Sequence, residues 1–91
     1  MARVMIRMFA TVREMAGTAE IALDAADLAS VVDQLGLRFG KPFAQMLRDF
    51  PNDPERLVIL INGRNVSGHD ARAVKLRDGD EVSIFPPVSG G

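Results

Sequence analysis

Apolar positions along the chain change period several times, and each change marks an element. From Arg3 to Phe9 the pattern alternates. Val4, Ile6 and Met8 share one face of a strand, and Arg3, Met5, Arg7 and Phe9 share the other. The first set predicts core. The second mixes charge with Met5 and Phe9, an odd choice for a face turned only to water. Thr11-Val12-Arg13-Glu14 has capping-box spacing, which predicts a short helix opening at Thr11 and stopping at Gly17. Ala19 to Asp24 reads as a second strand with Ile21 and Leu23 inward. The short Gly17-Thr18 link makes the first two strands an antiparallel pair.

Beyond Asp27, a good N-cap, Leu28, Val31, Val32, Leu35 and Phe39 recur at helical spacing and form one apolar stripe. Gly36 weakens that helix, Gly40 ends it, and Pro42 opens a further short helix carrying Phe43, Met46 and Leu47. Phe50 to Arg56, with two prolines, is a loop. Leu57 to Ile61 is an unbroken apolar run, which predicts a central strand covered on both faces. Asn62-Gly63 is the strongest hairpin signal in the chain, with Arg64 to Val66 as the returning strand. Ser67 to Arg72 is a loop, and Asp78-Gly79 is a tight turn. Glu81 to Phe85 is the last strand, with Val82 and Ile84 inward and Phe85 outward. One amphipathic helix packed on one mixed sheet is an α+β arrangement, the ubiquitin-like β-grasp.

The chain closes Phe85-Pro86-Pro87-Val88-Ser89-Gly90-Gly91. The prolines favour an extended stalk, and glycines, lacking Cβ, can lie flat in a slot too narrow for any other residue. This stretch spans roughly 20 Å at full extension. Residues 1–87 are expected to form one domain and 88–91 a flexible tail.

Composition removes most other chemistry. Of the 91 residues 47% are hydrophobic and 25% charged, with a formal net charge of −1, so no basic field exists to hold nucleic acid or an anionic membrane. Lack of cysteine removes disulfides, thiolate metal sites and a cysteine nucleophile. Neither a membrane-length apolar run nor a signal-peptide layout is present, which predicts a cytoplasmic protein. His69, the sole histidine, reads as a surface residue, and Asp78 and Asp80 as turn residues rather than a metal site.

Val82-Ser83-Ile84-Phe85-Pro86-Pro87-Val88-Ser89-Gly90-Gly91, with Met8-Phe9-Ala10-Thr11-Val12-Arg13-Glu14 and Asp78-Gly79-Asp80-Glu81-Val82, resembles the molybdopterin synthase small subunit. It also resembles the small archaeal modifier proteins and, more distantly, the thiamin-pathway sulfur carrier. The resemblance implies that an E1-like adenylating enzyme uses ATP to activate the Gly91 carboxylate. A sulfur donor then converts the acyl adenylate to a thiocarboxylate, and the synthase large subunit uses that sulfur for molybdopterin. The chain itself binds no cofactor or metal. In one alternative the activated Gly91 is joined to target-protein lysines, and in another the chain is a plain binding domain.

Ordering Val88 to Gly91 in a partner costs roughly 4–8 kcal/mol, at ~1–2 kcal/mol per residue. Glycine contributes no side-chain contact, so the domain must offset this cost by docking. Phe9 and Phe85, joined by Met5 and Leu60, are the expected partner face. Asn65 departs from the family pattern, in which synthase small subunits often carry an apolar contact residue near that position.

Overall fold

A computed structural model describes residues 2–49, 57–66 and 71–86. Among these residues five strands form one sheet in the order β2-β1-β5-β3-β4. These are β1 (Ala2–Met8), β2 (Glu20–Ala25), β3 (Val58–Ile61), β4 (Arg64–Val66) and β5 (Glu81–Phe85). β1 and β5 are parallel neighbours and every other pairing is antiparallel, which makes this the mixed sheet of a ubiquitin-like β-grasp. Among the described residues three helices, α1 (Ala10–Ala16), α2 (Leu28–Phe39) and α3 (Lys41–Asp49), accompany it, and a 3-10 turn covers Ala71–Ala73.

The core lies between the helices and the inner face of the sheet. Val4, Ile6 and Met8 of β1 meet Leu28, Val31, Val32 and Leu35 of α2, with Phe43 and Leu47 from α3 and Val82 and Ile84 from β5. α2 begins where expected. Asp27 is extended, and its Oδ1 accepts the Ser30 N–H at 2.9 Å. Gly40 ends the helix, and Phe39 packs on Phe43 with ring centroids 5.1 Å apart.

Gly36, the weak point of α2 by propensity, has a packing reason. A Cβ placed there would stand 3.0 Å from the Ala44 Cβ, so two small residues let α2 and α3 approach closely.

Two expectations are corrected. The first helix opens at Ala10, so Thr11 lies inside its first turn and caps nothing. The strand decides this: Phe9 stays extended because its N–H donates to the Ile84 carbonyl at 3.1 Å, and its own carbonyl accepts from Val12 and Arg13. The second correction concerns β3, which is not covered on both faces. Leu57, Ile59 and Ile61 face the core, while Val58 and Leu60 face outward and remain half-buried. An unbroken apolar run looks the same whether its second face meets a layer of the same chain or an exposed surface.

Asn62 and Gly63 make the β3–β4 hairpin turn, both with positive φ, at 52° and 84°. Asparagine and glycine are the residues that reach this conformation at least cost. The expected loop at 50–56, His69 and the tail 88–91 lie outside the described residues.

Candidate functional site

β5 is the central strand, and its last residue, Phe85, leads through Pro86 toward the Gly-Gly end. The surface around Phe85 is therefore the base from which any terminal chemistry would be presented. The parallel β1–β5 pairing sets Met8 opposite Ile84 and leaves Phe9 beside Phe85. Their rings meet edge to face with centroids 6.0 Å apart, a geometry worth ~0.5–1.5 kcal/mol. Phe9 nevertheless keeps 44% of its surface exposed.

The antiparallel β3–β5 pairing brings Val58 opposite Phe85 and Leu60 opposite Ser83. Phe9, Phe85, Val58 and Leu60 thus form one apolar strip across three strands, around the point where β5 ends. Asn65, opposite Leu60 on β4, bounds it with an exposed amide.

Met5 is not part of this strip. It stands four residues before Phe9, about 13 Å along the strand, with Arg7 between them on the same face. Arg7 bridges both neighbouring strands, with Nε 3.5 Å from Glu20 Oε2 and Nη1 3.2 Å from Glu81 Oε1. Arg3 pairs with Asp24 at 3.3 Å further along. The outer face therefore divides into an apolar end at Phe85 and an ion-paired end that encloses Met5. These exposed pairs add little stability, ~0–1 kcal/mol each, but they fix which half of the face is polar. Arg7, Arg13 and Glu20 border a shallow hollow of about 220 Å³ beside Phe9, which sets charged groups of both signs against the apolar strip.

Val58 is the strip residue that sequence reasoning missed. In the phase that puts Ile59 inward, Val58 falls with Leu60, but the unbroken apolar run Leu57 to Ile61 does not by itself fix that phase.

At the opposite end of the sheet, polar groups lock the turns. Asn62 Nδ2 donates to Asp80 Oδ1 at 2.8 Å, and the Arg77 N–H donates to Asp80 Oδ2 at 2.8 Å. Asn62 Oδ1 accepts the Glu81 N–H at 2.9 Å, and Asp78 Oδ1 accepts the Arg3 N–H at 2.7 Å. Asp78 and Asp80 are thus committed to backbone and amide donors.

The backbone N–H of Arg77 and then the Asn62 amide hold the Asp80 carboxyl below the usual carboxylate range, against a smaller opposing desolvation. A depressed folded-state value means that this contribution is complete above the unfolded value, near ~3.9. It is lost as pH falls through the lower folded value. Asp80→Asn keeps only one of the two acceptor oxygens, which lowers stability at every pH, but it cannot titrate. Its urea midpoint should therefore fall less than that of the parent chain between pH 5 and pH 3. Equal falls would remove Asp80 from the acid response.

Among the described residues no group of three His, Cys, Asp or Glu side chains is placed to hold a metal ion, and no helix is long and apolar enough to cross a membrane.

A model of the ThiS family matches residues 6–91. Small archaeal modifier protein 3 of Haloferax volcanii is 37% identical over 89 residues, covering 94% of this chain and 96% of that protein. The molybdopterin synthase sulfur carrier subunit of Chlamydomonas reinhardtii is 36% identical over 86 residues, covering 91% and 92%. The solution structure of small archaeal modifier protein 1 from Methanosarcina acetivorans matches with a TM-score of 0.76 at 35% identity, over 100% of this chain and 98% of that one.

Proposed function

The chain belongs to the ThiS family, and from that premise we propose that it is a sulfur carrier whose Gly91 carboxylate is activated and loaded by partner enzymes. One observation carries the reading: the outward-facing apolar strip of Phe9, Phe85, Val58 and Leu60, with Phe9 exposed and the others half-buried, sits where β5 hands over to the Gly-Gly end. A partner that grips this strip holds the start of the tail at a fixed distance from its own active site.

The chemistry follows from the carboxylate. A Gly91 oxygen attacks the α-phosphorus of ATP in an E1-like enzyme, and pyrophosphate leaves. Hydrosulfide supplied by the donor then attacks the carbonyl carbon through sulfur and loses its proton to solvent, and AMP leaves with the C–O electron pair. The product is a thiocarboxylate, nucleophilic near neutral pH. A molybdopterin synthase large subunit is the proposed consumer, as the name of the Chlamydomonas relative suggests.

A second reading shares the first step. A lysine amine of a target protein replaces sulfur as the nucleophile, and an isopeptide bond forms. The two relatives with modifier and carrier names are 37% and 36% identical, so similarity does not separate the readings.

Mass spectrometry of the protein isolated from its own host separates them. The last basic residue is Arg77, so trypsin releases Asp78–Gly91 as one peptide. It contains no methionine, so replacement of one oxygen by sulfur is not confused there with methionine oxidation. A sulfur-bearing peptide supports carriage. The same peptide branched from lysines of other proteins supports modification, with a remnant of Asp78–Gly91 rather than of two glycines. Only the unmodified peptide, in cells actively making the cofactor, would count against both.

The strip makes its own prediction. Phe9→Ala removes an exposed ring and its edge contact with Phe85, and should weaken binding to the activating enzyme by about 1–2 kcal/mol, roughly 5–30-fold. The thermal midpoint should move little, because Phe9 lies outside the core. Unchanged affinity in titration calorimetry would remove the strip from the docking surface.

A further inference from the structure

The chain holds two lysines, Lys41 and Lys75, against nine arginines. Apart from an α-amino group, these are the primary amines with which one copy can accept the activated Gly91 of another. They occupy different places in the fold.

Lys75 lies in the extended stretch between the Ala71–Ala73 turn and β5, and its backbone is pinned on both sides. It bridges Asp27, the Leu28 N–H donates to the Val74 carbonyl at 3.0 Å, and the Leu76 N–H donates to the Ala26 carbonyl at 3.0 Å. Its side chain is 80% exposed, with Nζ 3.8 Å from Asp27 Oδ2. The other oxygen of that carboxylate is the cap of α2, which fixes Asp27 in place. Lys75 also borders an open hollow of about 340 Å³ with Ala2, Leu76, Arg77 and Asp78, space for side-chain-free glycines to approach the amine. Asp78 accepts from the Arg3 N–H, so this hollow stands at the start of β1, the end of the sheet away from Phe9 and Phe85.

Lys41 opens α3, which packs mainly on α2 on the helical side of the sheet. A second copy attached at Lys75, at the far end of the sheet, leaves the proposed docking face open.

We propose that Lys75 is an acceptor site for Gly91 of a second copy, so that the protein forms linear isopeptide-linked chains. The inference rests on reading Gly91 as an activated acyl donor, with the adenylate supplied by the activating enzyme from ATP. The Lys75 ammonium first yields a proton to water. Its Nζ lone pair attacks the Gly91 carbonyl carbon, the C–O bond to phosphate breaks, and AMP leaves with the electron pair. The remaining extra proton passes to Asp27 or to solvent. Asp27 acts as a positioning residue that holds the amine over the hollow.

The test uses the full chain with its activating enzyme and ATP, comparing the parent with Lys75→Arg and Lys41→Arg. Arginine at 75 keeps the charge and a donor for Asp27, so the fold is retained, as circular dichroism can verify. Hydroxylamine traps activated Gly91 as a hydroxamate independently of either lysine. Covalent dimer should form in the parent and in Lys41→Arg and be lost in Lys75→Arg. Trypsin should yield Ala73–Arg77 branched with Asp78–Gly91. Hydroxamate without dimer, dimer persisting in Lys75→Arg, or a branch on Lys41 overturns the proposal while leaving the activation reading intact. Absence of the hydroxamate overturns the activation reading and this inference with it.

Discussion

Deleting Gly91 should abolish ATP–pyrophosphate exchange by the cognate activating enzyme while leaving the fold and the strip at Phe9 and Phe85 unchanged. The deletion still leaves a glycine carboxylate, now on Gly90, so the loss is one of position. One residue of extended chain is about 3.3 Å. Reaction at phosphorus needs the attacking oxygen within about 3–3.5 Å, and a 1 Å misplacement alone can cost ~10²-fold. A docked domain cannot slide forward to compensate, because the apolar strip fixes where the tail begins. Gly90→Val should fail for a different reason: a β-branched side chain cannot pass through a slot shaped for bare backbone. Binding of both variants, measured by calorimetry, should survive in weakened form. Full exchange by the chain lacking Gly91 would defeat both the carrier and the modifier readings. Loss of binding together with loss of exchange would instead place the tail, not the strip, as the main anchor.

The second large effect is on stability. Leu35→Asp should unfold the domain at neutral pH. Leu35 is fully buried under the sheet, and among the described residues the core contains no polar or charged side chain. The substitution removes about 2–3 kcal/mol of apolar burial. It also leaves a carboxyl with no partner, a cost of several kcal/mol more. Domains of ordinary stability have ~5–15 kcal/mol in total, and one this small lies toward the lower end. Leu35→Ala, which loses ~2–5 kcal/mol through transfer and cavity, should stay folded with a lower midpoint. Circular dichroism is the suitable measurement, since the chain has no tryptophan or tyrosine. A cooperative transition near the parent midpoint in Leu35→Asp would show that α2 does not pack through this position.

How much of the site was legible varies by residue. Phe9 and Phe85 were assigned outward because a strand repeats every two residues and their neighbours Met8 and Ile84 had to face inward. Phase alone also put Met5 outward, correctly, yet grouped it with Phe9. Separating them required the strand order, because Arg7 becomes a barrier only when Glu20 and Glu81 arrive from strands on either side. Val58 was lost for the converse reason. A run of five apolar residues carries no alternation, so its outward half emerges only when β3 is seen paired with β5 and uncovered behind.

The sequence by itself determined the elements whose causes are local. Asp27 caps α2, Gly17 and Gly40 stop helices, Asn62-Gly63 turns the hairpin, and the β-grasp order follows from them. Those outcomes depend on a few adjacent residues and their backbone preferences. Only the tertiary structure decided what depends on neighbours distant in the chain. It moved the start of α1 to Ala10, because Phe9 is held extended by Ile84. It gave Gly36 a purpose against Ala44. It set Lys75 beside Asp27, 48 positions away. Side-chain pairing across strands and helices is fixed by register and crossover, and no local pattern encodes either one.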